Sequence, residues 1–446
     1  MEVTIISRDT IKPSSSSLSH LKPYKLCFFD QLTPVTYTPV ILFYAINVPS
    51  SNLPTILALL KKSLSEALTL YYPFSGRIKN NLYIDDFDSG IPYKEATVSC
   101  RMSEYLKLKD TESLDKFLPI LPYRKETETS GPNCAFQVNI FACGGIAFGC
   151  CLSHKKGDGA TFSSLIKTWA AIFRGCPDKI IHPNLSGASL AFPARSDLAA
   201  SHLALMDEMW FKEGNYITKR FLFDAKAIAT LRGKAQSENV SRPSRNEVLT
   251  GFIWKRATVA ASVASDKPPR LSIAAHAVNL RPRMKPQSIE LPTGNLFWWA
   301  IIAANPTNAN EQELDQLVGL LKEVLENFDN DYLETLKGED GYSTINGHLE
   351  QIGALFSMDQ DKPDIFAFTA WNGFFNDVDF GWGTPFWIGV LGKVGPASRN
   401  LVVLIDSQWG NGIEAWITLE EKQMRVLEND GEFLAFASPN PGISRL

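Results

Sequence analysis

Apolar residues recur every three or four positions along residues 53–70, where Ile56, Leu60, Leu64 and Ala67 share one face and Asn52 stands where a helix cap belongs. The period is clearest over 311–328. There Leu314, Leu317, Val318, Leu321, Val324, Leu325 and Phe328 form one stripe and predict an amphipathic helix. Residues 160–173 and 248–259 also read as helices, the first stopped near Gly175 and Pro177, the second opened by Ser244 or Asn246. Two apolar runs of strand length, 135–142 and 146–153, flank Cys143-Gly144-Gly145 and predict a hairpin. Residues 401–405 and 413–417 predict buried strands about a glycine-rich turn. Residues 182–210 are poor in charge and punctuated by proline, glycine and serine, which predicts a linker or crossover.

The chain has 446 residues, 45% of them hydrophobic and 11% aromatic, ample for large buried cores in two or three domains. A net charge of −4 offers no field for nucleic acid or an anionic membrane surface, so neither partner is expected. The seven cysteines are an odd count with no CxxC spacing, and several sit in apolar runs. They read as reduced, buried thiols rather than a disulfide framework. The polar N-terminus, with Pro13 and a run of serines, has no signal-peptide core, and the apolar region 140–152 is broken by Gly144-Gly145 and too short to span a bilayer. The expectation is a cytosolic monomer. Its rival is the peroxisome, because Ser444-Arg445-Leu446 is close to the Ser-Lys-Leu address.

Candidate chemistry centres on His154 and Asp158 in Ser153-His154-Lys155-Lys156-Gly157-Asp158-Gly159. The histidine ends an apolar strand and precedes a helix, and such a loop presents a side chain into a cleft from a rigid scaffold. Imidazole titrates near pH ~6.5, so it is suited to take a proton from an alcohol that is itself un-ionised. No GxSxG elbow supplies a nucleophile for a Ser-His-Asp relay. No third His, Cys or carboxylate stands at a convincing metal-ligand spacing, so no metal is assigned. The second signal is Asp379-Phe380-Gly381-Trp382-Gly383, where glycines around a tryptophan imply a tight backbone path with one large anchor.

Both motifs, in this order, resemble those of the plant acyl-CoA-dependent BAHD acyltransferases, and the resemblance runs from end to end. Phe29-Asp30-Gln31-Leu32 is similar to the family's Leu-Asp signature, and Tyr72-Pro73-Phe74-Ser75-Gly76-Arg77 to its YPLAGR segment. Asn279-Leu280-Arg281-Pro282-Arg283-Met284, with Gly294-Asn295 after it, resembles the NLRxRM…GN stretch. Within the family the chain looks most similar to the vinorine synthase-like group, whose acceptors are alkaloid or terpenoid alcohols. The resemblance implies an α/β, two-domain fold of the chloramphenicol acetyltransferase type with mixed sheets and the active site between the domains. On this chain the division is 1–181, a crossover over 182–210, and 211–446.

The resemblance also implies roles. His154 is the general base, and acyl-CoA is a co-substrate, with no permanently bound cofactor. Asp158 pairs with Arg281 and holds the loop in shape; the rival reading is a turn residue with no ion pair. Asp379, Gly381 and Trp382 support the fold near the CoA channel and are counted as essential to the site, the rival reading being direct proton transfer by Asp379. Thr369 and Trp371 border the reaction chamber, where either is a donor to the oxyanion, the rival reading of Trp371 being core packing, and Asn295 lines the CoA passage. Lys255, Arg256 and Arg245 are basic candidates for the CoA phosphates. Lys155 and Lys156 either face solvent or bring a cation to the channel, the second reading raising malonyl-CoA against acetyl-CoA as donor. Phe297-Trp298-Trp299 and Phe374-Phe375 either shape an apolar acceptor pocket or are core. O-acylation of a small hydrophobic alcohol is expected, with N-acylation, or a noncatalytic member of the fold, as alternatives.

Overall fold

A computed structural model describes the chain except for residues 15–17, 19–20, 123–130, 239, 266–269, 285–292, 305–312, 358–361, 393–398 and 444–446. The C-terminal tripeptide and the first residues of the predicted 311–328 helix lie outside the described residues.

The strands in chain order are β1 Val3–Ile11, β2 Tyr24–Lys25, β3 Tyr37–Tyr44, β4 Arg77–Lys79, β5 Tyr83–Asp85, β6 Ile91–Val98, β7 Cys134–Phe141 and β8 Ile146–Ser153. They continue as β9 Tyr216–Phe223, β10 Ser272–Asn279, β11 Phe297–Ala304, β12 Asp364–Ala370, β13 Trp387–Gly389, β14 Leu401–Asp406, β15 Ile413–Glu420 and β16 Ser438–Pro439. A six-stranded sheet runs β1-β6-β7-β8-β3-β13, a seven-stranded sheet β11-β10-β12-β14-β15-β9-β16, and a small sheet β2-β5-β4. Both large sheets are mixed: β6 and β7 are parallel in the first, and β10, β12 and β14 in the second.

The predicted hairpin is β7–β8, paired antiparallel from Cys134↔Leu152 to Ile140↔Ile146. Strands β3, β7 and β8 are buried at every position, which explains why they read as continuous apolar runs rather than alternating ones. The helices Leu53–Leu70 and Gly159–Phe173 cover one face. They are locked together where the Trp169 indole donates to the Leu60 carbonyl and the Ser63 hydroxyl, each at 3.1 Å. Asn52 takes the cap position of the first helix but makes no side-chain cap bond there. Ser244, by contrast, caps the helix Arg245–Ala264 with a reciprocal bond to Glu247. Leu314–Glu326 presents Leu314, Leu317, Val318 and Leu321 to the second core, as its stripe predicts.

Residues 182–210 carry helical structure of their own. They contain the helices Gly187–Ala191 and Ala200–Trp210. The latter is fixed by tertiary packing, with Met206 and Met209 buried in a third core beside Phe28, Phe29, Leu280 and Trp298. That core joins the N-terminal helix Phe28–Leu32 to the second half of the chain. The halves are also stitched in the other direction. β13 pairs with β3 through Trp387↔Phe43, and Trp371, Phe375, Val378 and Phe380 belong to the first core. So this part of the 211–446 segment packs with the N-terminal half. Apolar aromatic residues are buried wherever the largest apolar surface is available, whatever their distance along the chain.

Candidate active site

β12 alternates, and Ile365, Ala367, Thr369 and, just beyond it, Trp371 face a cavity, together with Ala275, Ala277 and Asn279 of β10 and Phe297 and Trp299 of β11. The opposite wall comes from the first half: Thr38, His154, Asp158, Gly159 and Ala160. Trp210 and Phe211 close one side from the crossover, and Arg399 stands on the wall beside Asn400 and Leu401. The space opens to solvent and is walled by both halves of the chain.

His154 follows the last residue of β8, its backbone N–H bound to the Thr36 carbonyl at 2.8 Å. The ring is half-buried, edge-on to Trp210 (4.9 Å between centroids) and to Phe297 (5.5 Å). Burial pushes its pKa below 6.5, so the imidazole is neutral at pH 7. Its Nδ1 lies 3.1 Å from the Asn295 side-chain oxygen. The orientation of that amide is dictated, because its nitrogen donates to the Asp30 carboxylate at 2.9 Å and to the His154 carbonyl at 2.7 Å, both acceptors. The Asn295 oxygen must therefore accept from Nδ1–H, leaving the lone pair on Nε2. Asn295 is not on the cavity wall, so its place is behind the histidine rather than along a CoA passage.

Asp158 is the N-cap of Gly159–Phe173, accepting the Thr161 N–H at 3.0 Å. Its other oxygen accepts Arg281 at 2.6 Å and the Leu296 N–H at 3.0 Å. Burial alone would raise this carboxyl, but the Arg281 guanidinium outweighs it and holds the pKa below 3.8. The Arg281 guanidinium also donates to the Thr161 hydroxyl at 3.1 Å and the Gly294 carbonyl at 3.0 Å, clamping the loop between the halves. The glycines around Asp158 serve close approach: a Cβ at Gly159 would meet the Phe374 ring at 2.8 Å and one at Gly157 the Thr161 side chain at 2.9 Å.

Asp379 lies elsewhere. One carboxylate oxygen accepts the N–H groups of Gly381 and Gly383 at 2.7 and 2.9 Å. These glycines have φ of +90° and +85°, which L side chains rarely adopt. The other oxygen pairs with Arg174 at 2.8 Å, at the C-cap of the helix that Asp158 opens. The two aspartates thus mark opposite ends of one helix, sixteen residues or about 24 Å apart, and Asp379 does not reach the cavity. Phe380 and Trp382 stack on Phe148 in the first core. The motif is a structural knot.

Other expectations are corrected too. Lys155 and Lys156 are both buried, facing neither solvent nor the cavity. The Lys155 ammonium donates to the carbonyls of Asp30, Gln31 and Thr33 at 3.4, 3.0 and 2.8 Å, capping the short helix Phe28–Leu32. Arg245 pairs with Asp406, and Arg256 with Asp430 and Glu432. Neither these arginines nor Lys255 lines the cavity, because their helix covers the far face of the seven-stranded sheet. Phe297 and Trp299 face the cavity while Trp298 is core, and Phe374 lines it while Phe375 does not.

Sequence reasoning assigned no role to Asp30, and it missed Thr38, Trp210 and Arg399. For Asp30 a signal existed: a carboxylate inside Leu26-Cys27-Phe28-Phe29-Asp30 needs buried donors. Nothing local marks the others.

Two facing halves with a neutral histidine presented to the cavity between them define an acyl-transfer enzyme of the two-domain α/β type. The chain belongs to the Transferase family, the BAHD acyltransferases whose motifs it carries, and that family's model matches residues 1–434. It is 36% identical to a limonoid 7-O-acetyltransferase of Citrus sinensis, covering 99% of each chain. It is 33% identical to the stemmadenine O-acetyltransferase of Catharanthus roseus, covering 96% of this chain and 97% of that one. Among solved structures it is similar to vinorine synthase, with a TM-score of 0.81, 29% identity and 100% of both chains covered.

Proposed function

We propose that this enzyme moves an acetyl group from acetyl-CoA to a hydroxyl of an alkaloid or terpenoid in plant specialised metabolism, with His154 as general base. The observation that carries the reading is the fixed imidazole, neutral and with Nδ1 held by Asn295, so that Nε2 is the basic nitrogen. As the acceptor oxygen attacks the thioester carbonyl, Nε2 takes its proton, and the C–O bond forms with a tetrahedral oxyanion. Thr369 and Trp371 on the cavity wall are the donors for that oxyanion. Collapse breaks the C–S bond, expels CoA thiolate and passes the proton from His154 to sulfur. No acyl-enzyme is needed.

The acceptor class is supported by aromatic and alanine-lined walls, which suit a rigid polycyclic alcohol, and by the limonoid and stemmadenine O-acetyltransferases among the relatives. The lysines that raised malonyl-CoA as donor point into protein. Arg399 on the cavity wall, which also lies in the field of Glu208 and Asp364, is a basic group beside the space an acyl group or acceptor would occupy. The enzyme is proposed to work as a cytosolic monomer, and no helix among the described residues is long and apolar enough to cross a membrane.

The test is CoA thiol release by purified protein with acetyl-CoA or malonyl-CoA, against a panel of alkaloid and terpenoid alcohols and the corresponding amines. CoA appearing with acetyl-CoA only when an alcohol is present, and vanishing in His154→Ala, supports the reading. Release with malonyl-CoA alone replaces the donor, and release only with amines replaces O- by N-acylation. Silence together with undetectable CoA binding favours a noncatalytic member.

A further inference from the structure

Lys156 is fully buried, and its ammonium has no hydrogen-bond partner among the described residues. It lies instead between aromatic faces, 4.1 Å from the Tyr24 ring centroid and 4.9 Å from that of Phe74. Cation–π contact offsets part of the desolvation but does not replace hydrogen bonds to an ammonium. The Tyr24 hydroxyl donates to the Thr293 carbonyl at 3.1 Å, and a Cβ on the next residue, Gly294, would lie 3.3 Å from both Asp30 carboxylate oxygens, so the ring that holds the ammonium abuts Asp30, whose charge acts on it.

Asp30 is equally buried, and its hydrogen-bond partners among the described residues are all donors. One oxygen accepts the Cys27 N–H at 2.9 Å, and the other accepts the Asn295 backbone N–H at 2.7 Å and the Asn295 amide at 2.9 Å. A protonated Asp30 would set a hydroxyl against N–H groups, so this arrangement requires the carboxylate. Burial drives the Asp30 carboxyl up, and the field of Lys156 acts against that rise. The other groups facing the lysine are the Cys27 and Cys134 thiols and the Asp158 carboxylate, and the last is engaged by Arg281. Lys155 hydrogen-bonds the Asp30 backbone carbonyl and also lies in the field of its carboxylate, on which Lys156 is the cation that acts most.

We infer that Lys156 is a positioning residue for His154: its ammonium keeps Asp30 a carboxylate, Asp30 fixes the Asn295 amide, and that amide fixes the imidazole with Nε2 as its basic nitrogen. The inference rests on His154 being the base proposed above. Four side chains thereby form a relay of charge and hydrogen bonds from a buried aromatic sleeve to the reacting nitrogen, and only the last of them meets substrate.

The test is the pH profile of kcat for the full-length wild type, Lys156→Met, Lys155→Met and Asp30→Asn, with ¹⁵N spectra of the His154 ring. Methionine fills the aromatic sleeve without the charge. In Lys156→Met the acid limb is expected to move about one unit or more toward higher pH, the size of effect that loss of a nearby charge has on a carboxyl. At pH 7 kcat falls about tenfold with KM unchanged, the ring shows protonated Nε2, and raising the pH restores activity as Asp30 re-ionises. Asp30→Asn shows the same altered ring at every pH with no recovery, and Lys155→Met moves the limb less than Lys156→Met does.

An unmoved acid limb in Lys156→Met, or a pH-independent loss with the wild-type tautomer, overturns the inference. If Lys156→Met does not fold, a wild-type tautomer in Asp30→Asn overturns it instead. Failure of the underlying mechanism is separate, since it appears as activity retained by His154→Ala.

Discussion

Arg281 reaches the Asp158 carboxylate at 2.6 Å across 123 residues of sequence, and both side chains are almost wholly buried. With Leu296 and Thr161 as the carboxylate's other partners, none of the Asp158 hydrogen bonds among the described residues goes to His154. The aspartate of the motif is therefore a cap and a clamp.

Asp158→Asn keeps the cap acceptor but leaves the guanidinium without its counter-charge. Breaking a buried pair costs about 3–5 kcal/mol, so the melting temperature should fall clearly, while kcat measured well below it stays within about tenfold. The contribution has a sign in pH. The folded carboxyl titrates below 3.8, so its stabilisation is complete above the ordinary carboxylate range and is lost as the pH falls through the folded value. Large loss of kcat with an unchanged melting curve would return Asp158 to the chemistry.

The wild-type acid limb should lie below pH 6.5. Burial lowers the His154 pKa, so the base stays neutral at pH 7 and is lost only as the pH falls below the ordinary imidazole value. Initial rates from pH 5 to 9 at saturating substrates check this. A limb above 6.5 would mean that another group controls the proton transfer.

Asn295→Leu removes the acceptor for Nδ1–H. One lost hydrogen bond of about 1.4 kcal/mol corresponds to a tenfold rate change, so kcat should drop about tenfold or more with KM for both substrates nearly unchanged. A raised KM for acyl-CoA with normal kcat would restore the reading of Asn295 as a lining residue of the CoA passage.

Asp379→Asn retains an oxygen for the Gly381 and Gly383 amides and gives up only a half-exposed ion pair with Arg174. Such pairs contribute about 0–1 kcal/mol, so stability and kcat should stay close to wild type. A loss of a hundredfold or more, with the protein folded, would place Asp379 in proton transfer after all. Gly381→Ala, by contrast, forces a side chain into φ +90° and should cost stability.

The apolar periods of the Leu53–Leu70 helix, the β7–β8 hairpin and β14–β15 were legible because each is decided within a few residues by which face must be buried. His154 and the Asp158–Arg281 pair were legible through motifs shared with the family. The helix Ala200–Trp210 was not, since its few apolar positions gain a partner only when Phe28 and Trp298 are brought beside them. Nor was Asp379's remoteness, because sequence order says nothing about which end of Gly159–Phe173 the later segment meets.

The sequence by itself determined the family, the α/β alternation and which histidine is proposed as the base. Only the tertiary structure decided that Lys155 and Lys156 are buried, that Asn295 stands behind His154 and that Asp30, 265 residues before Asn295, orients it. The reason is physical. Helices and strands satisfy local hydrogen bonds at fixed periods, whereas a buried charge is satisfied by whatever donor global packing delivers, at any separation along the chain.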